Sequence, residues 1–244
     1  MISVHFVVHE SFEAPGAYET WAKDRGHNIS YTRLYLGDTL PECISSIDLL
    51  IVLGGPQRPS TTKEECPHFD AVAEQDMIMK CIAGGKAVIG ICLGAQLVGE
   101  SLGASWEESP EREIGSFPIT LTEAGQISDK FKHFGPSLQV GHWHSDMPGL
   151  TPDAKIIASS LGCPRQIVEY TSLVYGFQCH MEFNNEVIEA LIEASADELP
   201  TLTQHRFVQQ AQDLRRNNYG EMNQNLFTFL DRLQDSYAWS RSQA

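Results

Sequence analysis

A cysteine between two glycines, Gly90-x-Cys92-x-Gly94, is the sequence feature that most constrains how this chain folds. It follows an apolar, strand-like run and precedes a helix-like stretch at residues 96–102. A strand that turns sharply into a helix around a nucleophile needs small residues at these positions, because strand and helix approach closely there. The turn exposes the sulfur near the positive end of the helix dipole, which stabilises a thiolate. The pattern predicts a nucleophile at Cys92 and an oxyanion-binding amide at Leu93.

Strand-like and helix-like segments alternate over the first hundred residues. Apolar runs at 2–8, 47–53 and 87–89 are separated by amphipathic stretches at 15–24 and 69–82. Repeated β-α-β units of this kind imply a parallel sheet with helices on both faces. Ligands bind beyond the carboxyl ends of the strands in such sheets, where Cys92 is expected to lie.

Shorter strands and polar helices are expected after Gly103. The predicted strands span 117–122, 137–143, 155–159, 166–170 and 173–178, and the predicted helices span 185–196, about 201–217 and about 222–237. Glycine, proline and aspartate turns separate the strands.

Charge and composition exclude several classes of protein. The formal net charge is -15, and no Lys/Arg cluster is longer than Arg215-Arg216, which disfavours nucleic acid and anionic membrane surfaces as partners. The first ten residues read as a strand, not as a signal peptide, and no apolar run is long enough to span a bilayer. Six scattered cysteines suggest reduced thiols, so we expect a cytoplasmic protein.

A candidate base for the cysteine occurs far downstream, in His180-Met181-Glu182. Residues i and i+2 of an extended segment point to the same side, so His180 can accept the thiol proton while Glu182 orients the ring. A lone His-x-Glu is more often a surface pair, and the cysteine turn is what favours the functional interpretation. Gly54 and Gly55 end another strand, and their amides are candidate oxyanion donors or, equally, parts of a plain tight turn.

His142 and His144 form a His-x-His pair, to which Cys163 adds a third potential ligand. Without a further ligand at a recognised spacing, we predict no metal and no cofactor. Arg112 and Glu113 form either an exposed ion pair of little energetic weight or, as the family resemblance described below suggests, part of the rim of the site.

These segments together resemble the class I glutamine amidotransferases of the Cys-His-Glu type. The resemblance covers roughly residues 2–195, and two of its segments look most like the amidotransferase part of GMP synthases. Its motifs are Gly54-Gly55-Pro56, Gly90-x-Cys92-x-Gly94-x-Gln96, Arg112-Glu113-Ile114-Gly115, His144-Ser145-Asp146 and His180-x-Glu182. It implies a flavodoxin-like α/β fold over residues 1–196, with a mostly parallel central sheet flanked by helices on both faces. Residues 197–244 are then a helical extension packed on the same domain.

The resemblance also implies roles for single residues. Cys92 would attack the side-chain amide of glutamine and form a γ-glutamyl thioester, with His180 and Glu182 completing the catalytic triad. Gly55 and Leu93 would supply the oxyanion amides. The residues implied in substrate binding are Gly54, Gln96, His144, Ser145 and Asp146.

Three functions remain open at this stage. The first is a glutaminase that releases ammonia for a separate synthetase; no synthase segment follows, so the chain alone is not expected to aminate a nucleotide. The second is a γ-glutamyl peptidase that acts on glutathione-like compounds, and the third is a non-catalytic regulatory domain of the same fold. Met181 stands where the family usually has proline, which relaxes the backbone between His180 and Glu182 but leaves both side chains.

Overall fold

The computed structural model describes residues 1–243, in which ten strands form one sheet. The strands are β1 (Ser3–Val8), β2 (Asn28–Arg33), β3 (Leu49–Val52), β4 (Ala87–Ile91), β5 (Glu107–Leu121), β6 (Ser137–Met147), β7 (Lys155–Ser159), β8 (Ile167–Thr171), β9 (Val174–Phe177) and β10 (Phe207–Val208). The helices are α1 (Gly16–Asp24), α2 (Ala71–Ala83), α3 (Leu93–Ser101), α4 (Glu123–Ile127), α5 (Asn185–Ala194), α6 (Ala211–Leu214) and α7 (Gly220–Ser242). Within these residues no helix is both long and apolar enough to cross a membrane.

The sheet has a parallel half and a mixed half. Strands β2, β1, β3, β4 and β9 lie side by side in parallel in this order, so β4 lies between β3 and β9. Beyond β9, the strands β8, β7 and β5 continue the sheet in antiparallel pairs, and β5 also pairs with β6. The predicted α/β fold with parallel strands is confirmed, and the carboxyl ends of β3, β4 and β9 meet at one edge.

Two hydrophobic clusters cover the two faces of the sheet, because successive strand residues point to opposite sides. In β1, Phe6 packs in the cluster that includes α1, α5 and α7, whereas Val7 packs in the cluster that includes α2 and α3. In β4, Ile89 and Val88 divide in the same way. Strands buried on both faces explain why β1, β3 and β4 read as continuous apolar runs.

The structure corrects the prediction of a helix at about 201–217. This region instead contains a short 3₁₀ turn at Leu199–Leu202, the two-residue strand β10 and the four-residue helix α6. Phe207 and Val208 pair in parallel with Glu113 and Ile114 of β5, so they occupy the edge of the sheet. Edge backbone groups of a long strand need partners, and this long-range need outweighs the local helical pattern.

Candidate active site

Cys92 lies at the sharp turn between β4 and α3, at the carboxyl edge of the parallel strands. Its φ is 51° and its ψ is -108°, and it is the one non-glycine residue with positive φ among residues 1–243. Such a conformation costs on the order of 1–3 kcal/mol and persists only where surrounding structure holds it. The Cys92 amide donates to the Phe177 carbonyl at 2.8 Å, which ties the turn to the end of β9.

The glycines that flank this turn are needed for close packing. A Cβ on Gly90 would lie 2.2 Å from the Gly94 carbonyl oxygen, and one on Gly94 would lie 2.1 Å from the Val52 carbonyl oxygen. Both distances are far shorter than any real contact, so strand and helix approach at these positions as the sequence predicts. Leu93 begins α3, where the first amides of a helix have no partner within the helix.

His180 and Glu182 lie just beyond β9, next to this turn. His180 Nδ1 is 2.5 Å from Glu182 Oε1, and the His180 ring stacks on Phe183 with 4.6 Å between ring centroids. Both side chains are buried, and His180 Nε2 has no hydrogen-bond partner among the described residues. Cys92 Sγ instead donates a long hydrogen bond to the Trp143 carbonyl at 3.8 Å.

The electrostatics favour a charged His180. Burial alone would lower the pKa of the imidazole, but the Glu182 carboxylate and then the neighbouring Cys92 outweigh it, so the pKa of His180 lies well above its ordinary value. A ring that holds a proton beside a thiol is the arrangement that activates cysteine nucleophiles.

The segment that carries His180 and Glu182 is held by two helices distant in sequence. Asn223 of α7 donates to the Met181 and Phe183 carbonyls at 2.9 and 3.2 Å. The Ala17 amide, in the first turn of α1, donates to the Glu182 carbonyl at 2.9 Å. Met181 itself is fully buried, so the side chain that replaces the usual proline packs into the core.

Gly54 and Gly55 follow β3 and are oriented by a buried histidine. His9 Nδ1 is 2.9 Å from the Gly54 carbonyl, and His9 Nε2 is 2.8 Å from Glu74 Oε2. The Gly54 carbonyl and the Glu74 carboxylate can only accept hydrogen bonds, so both ring nitrogens of His9 carry protons. Burial lowers the pKa of His9, but Glu74 outweighs this effect and raises it. In a trans peptide the carbonyl and the following amide point in opposite directions, so this anchor turns the Gly55 N–H away from His9. No sequence pattern indicates this role, because His9 reads as the polar end of a strand.

A cavity of about 370 Å³ opens at Cys92. Of the residues that the sequence predicts for the site, those that line it are Gly55, Cys92, Gln96, His144, Ser145 and Asp146. Gly54 does not line it but lies next to His180, since a Cβ on Gly54 would be 3.3 Å from His180 Cε1. His180, Glu182 and Leu93 are buried. Gln96 Oε1 is buried without a partner in the described structure.

Glu13 and Arg58 are among the cavity residues that were not singled out from the sequence. Glu13 lies in the loop after β1, and its carboxylate is so close to Gly54 that a Cβ there would be 2.7 Å from Glu13 Oε2. Burial raises the pKa of Glu13, while nearby His180 opposes the shift. Arg58 holds the carboxylate of Asp146 through Nε and Nη2, at 3.0 and 3.1 Å. Neither residue belongs to a recognisable local pattern, so only the folded chain brings them to the site.

Of the two interpretations of Arg112 and Glu113, the exposed ion pair is wrong, whereas Arg112 does lie at the cavity. Glu113 is fully buried, where its carboxylate accepts hydrogen bonds from Ser160 and Gln166. Arg112 lines the cavity and pairs with Glu198 at 2.5 Å. The two side chains separate because neighbouring residues of a strand point to opposite faces.

Comparisons with known proteins agree with this architecture. The family model described as "Glutamine amidotransferase class-I" matches residues 23–199. The glutamine amidotransferase-like protein YfeJ of Salmonella typhimurium is 56% identical over 230 residues, which are 94% of this chain and 96% of that protein. A crystal structure of a glutamine amidotransferase from Thermotoga maritima has a TM-score of 0.84 and 23% identity, covering 95% of this chain and 97% of that one.

The chain therefore belongs to the class I glutamine amidotransferase family. The predicted likeness to GMP synthases is also confirmed: the enzyme of Caldanaerobacter subterraneus is 30% identical over 159 residues, which are 64% of this chain and 28% of that protein.

Proposed function

We propose that this chain hydrolyses γ-glutamyl amides, with glutamine as substrate, through a thioester on Cys92. The observation that carries the proposal is the strained Cys92, held at a positive φ beside the buried His180–Glu182 pair. Backbone strain at a nucleophile persists when the geometry is used, and a carboxylate-bound imidazole is the partner that such a nucleophile needs.

In the proposed reaction, the Cys92 sulfur attacks the side-chain carbonyl carbon of glutamine. The amides of Gly55 and Leu93 hold the oxygen as it becomes negative, and the His180 imidazolium gives its proton to the leaving nitrogen, which departs as ammonia. Neutral His180 then takes a proton from water as the water attacks the thioester, which releases glutamate and restores the Cys92 thiolate beside the His180 imidazolium. Glu182 stabilises the ring while it is charged.

The cavity offers groups for the other end of the substrate. Gln96 Oε1 is buried without a partner among the described residues, so it can accept a hydrogen bond from an amino group. Together with Gly54, His144, Ser145 and Asp146, it forms the substrate-binding set of this proposal. The volume of about 370 Å³ lies near the lower end of ligand pockets, ~300–1,000 Å³, which suits a small amino acid.

A γ-glutamyl peptidase is the second candidate. The cavity continues from Cys92 to Leu191, Ala194 and Ser195 of the α5 region, which leaves space for a leaving group larger than ammonia. The chemistry at Cys92 is the same for both candidates, and only the leaving group differs.

The test is a steady-state assay of the purified chain with glutamine and with γ-glutamyl dipeptides, monitoring glutamate release. We expect turnover by the wild type and loss to background in a folded Cys92→Ala variant. We also expect His180→Asn to lose on the order of 10³-fold or more in rate. The ratio of kcat/KM between glutamine and the dipeptides decides between the two candidates.

A γ-glutamyl electrophile with the shape of glutamine provides the control. Intact-mass analysis should find one adduct on the wild type and on Cys43→Ala, which removes an exposed thiol, but none on Cys92→Ala. An unmodified wild-type chain without turnover would support the non-catalytic alternative and reject the proposal. We propose a separate synthetase as the partner, and an increase in glutamine hydrolysis on addition of host-cell extract would support it.

A further inference from the structure

Three buried side chains behind the cavity wall bring donor atoms together. Glu113 on β5 pairs in register with His144 on β6, and His142 lies two residues earlier on the same face of β6. All three side chains are at most 1% exposed. His142 Nδ1 is 3.3 Å from His144 Nε2, and Glu113 Oε2 is 3.7 Å from the first of these nitrogens and 3.5 Å from the second.

The surrounding hydrogen bonds determine which ring nitrogens carry protons. His142 Nε2 lies 3.2 Å from the Phe117 carbonyl, which can only accept, so this nitrogen carries the proton and Nδ1 of a neutral ring has the lone pair. Gln166 Nε2 lies 2.6 Å from the Glu113 carboxylate, which identifies it as the amide nitrogen. The two hydrogens of this NH₂ group go to Glu113 and to Ser160 Oγ, at 2.9 Å, so its longer contact with His144 Nε2, at 3.3 Å, leaves the lone pair of that nitrogen free in the Nδ1-protonated ring.

With His144 protonated on Nδ1, three lone pairs face one another in a dry interior. Two imidazole nitrogens and a carboxylate oxygen at such distances repel unless a positive centre lies between them. The centre is a proton, on His144 Nε2 or on Glu113, or a cation bound by all three atoms. Ser160 Oγ, 2.8 Å from both oxygens of Glu113, holds the carboxylate in place for either one.

The spacing of the three atoms suits a metal ion. A circle through three points 3.3, 3.5 and 3.7 Å apart has a radius of about 2.0 Å. Zinc binds histidine nitrogen at ~2.0–2.1 Å and carboxylate oxygen at ~2.0–2.2 Å. Metal-binding histidines also donate their other ring N–H to a carbonyl or carboxylate, as His142 does to Phe117.

We propose that Glu113, His142 and His144 bind a divalent transition-metal ion, for which zinc is the best fit. Two imidazoles and one carboxylate favour zinc and its neighbours over magnesium or calcium, which prefer oxygen ligands alone. His144 also lines the cavity at Cys92, so the ion can enter from there. The bound ion joins β5 to β6 just where residues 143–146 form the cavity wall, so it stabilises that wall.

The site differs from the metal that the sequence argument weighed and rejected. Cys163 lies near Glu113 but outside the group of three donor atoms, and Glu113 was not considered as a ligand from the sequence. The pairing of Glu113 with His144 depends on the register between β5 and β6, which no short spacing in the sequence encodes.

The experiment uses the full-length wild-type chain, stripped with a chelator and titrated with Co²⁺ and with Zn²⁺ at neutral pH. We expect one tightly bound equivalent of zinc after dialysis. Cobalt should give visible d–d absorption typical of nitrogen and oxygen donors, without the intense near-ultraviolet band of thiolate-to-cobalt charge transfer. This spectrum needs no variant and so does not depend on the folding of one.

Glu113→Gln keeps the shape and the amide hydrogen bonds, and we expect it to weaken zinc binding by roughly 100-fold or more. Cys66→Ala is the control, because Glu10, Cys66 and His68 form another cluster of potential ligands near the rim. Binding lost in Cys66→Ala and retained in Glu113→Gln would overturn the proposal, as would a thiolate band in the cobalt spectrum. A wild type that binds zinc no better than Glu113→Gln would also overturn it and leave a proton as the positive centre of the cluster.

Discussion

The residue that departs most from ordinary backbone geometry is Cys92. A cysteine does not favour a positive φ by itself, because this backbone conformation is disfavoured for any residue with a Cβ. The flanking glycines and the hydrogen bond from the Cys92 amide to Phe177 impose it. His180 is constrained in the same way, by Glu182 on one ring nitrogen and by Phe183 against its face. The proposed nucleophile and base are thus held before any substrate binds.

The raised pKa of His180 gives a test at this scale. In Glu182→Gln the carboxylate that stabilises the imidazolium is gone and burial remains, so we expect the pKa of His180 to fall. The measurement is a ring NMR titration, carried out in a Cys92→Ala background in both proteins so that the thiol does not contribute. Glu186→Gln, an exposed change on α5, should leave the titration unaltered.

An unchanged His180 titration in Glu182→Gln would mean that another group holds the ring charged. Glu13 is then the candidate, because its carboxylate is the next negative group near His180. Activity should fall by about 10⁴-fold if Glu182 orients the base as proposed.

At the scale of elements, the contact between β3 and α3 explains the second glycine of the turn. Gly94→Ala places a Cβ 2.1 Å from the Val52 carbonyl oxygen, so one of the two elements must shift. We expect the free energy of unfolding to fall by about 2–3 kcal/mol or more, measured by urea denaturation. Gly220→Ala at the start of α7 is the control, since its nearest contact would be 3.3 Å and an ordinary helix gains from the change. Equal stability of the two variants would contradict this account.

Helix α7 also acts on the site at this scale, through Asn223. Loss of its bonds to the Met181 and Phe183 carbonyls frees the segment that carries His180 and Glu182. We expect Asn223→Ala to lower kcat by roughly 10–100-fold with little change in KM, because the base is displaced and not the substrate pocket.

The control for Asn223 is Asn225→Ala on the same helix, whose side chain bonds within α7 to the Glu221 carbonyl. Asn225→Ala should keep the wild-type kcat. A matching loss in both variants would assign the effect to the helix as a whole, and a rise in KM alone would place it in substrate binding.

On the scale of the whole molecule, we propose that residues 197–244 extend the domain formed by residues 1–196. Strand β10 pairs with β5 in the main sheet, and Phe229 of α7 stacks on Phe131 at 4.8 Å between ring centroids. Trp21 of α1 donates to Asp231 of α7 at 2.8 Å, so the end of the chain covers the first helix. These contacts support the assignment of the C-terminal region to the same sheet and hydrophobic core as residues 1–196.

A single cooperative unit predicts how the chain unfolds. Phe229→Ala removes a fully buried ring and should lower the free energy of unfolding by about 3–5 kcal/mol. Far-ultraviolet circular dichroism and tryptophan fluorescence should still report one coincident transition. Trp239→Ala, on a side chain 67% exposed, should change stability by about 0.5 kcal/mol at most. Two separate transitions would show that the C-terminal region folds on its own.

The sequence alone determined the parallel half of the sheet, the turn at Cys92 and the family. These features are encoded in short segments of the sequence. Apolar runs predict buried strands, and the two glycines beside Cys92 predict a close approach of strand and helix. His180 and Glu182 were also found locally, two positions apart at the end of a strand, and their catalytic roles stay predictions.

Only the tertiary structure decided what surrounds these residues. A loop brings Glu13 to the site, a buried ion pair with Glu74 holds His9 there, and the distant helix α7 contributes Asn223. The residues around them in the sequence do not predict these positions. Glu113 was misjudged because burial on a strand depends on which strand lies opposite. The helix expected at about 201–217 gave way to a strand for the same reason. In both cases, backbone groups or a charged side chain find their partners on elements that are distant in sequence, so no local pattern predicts them.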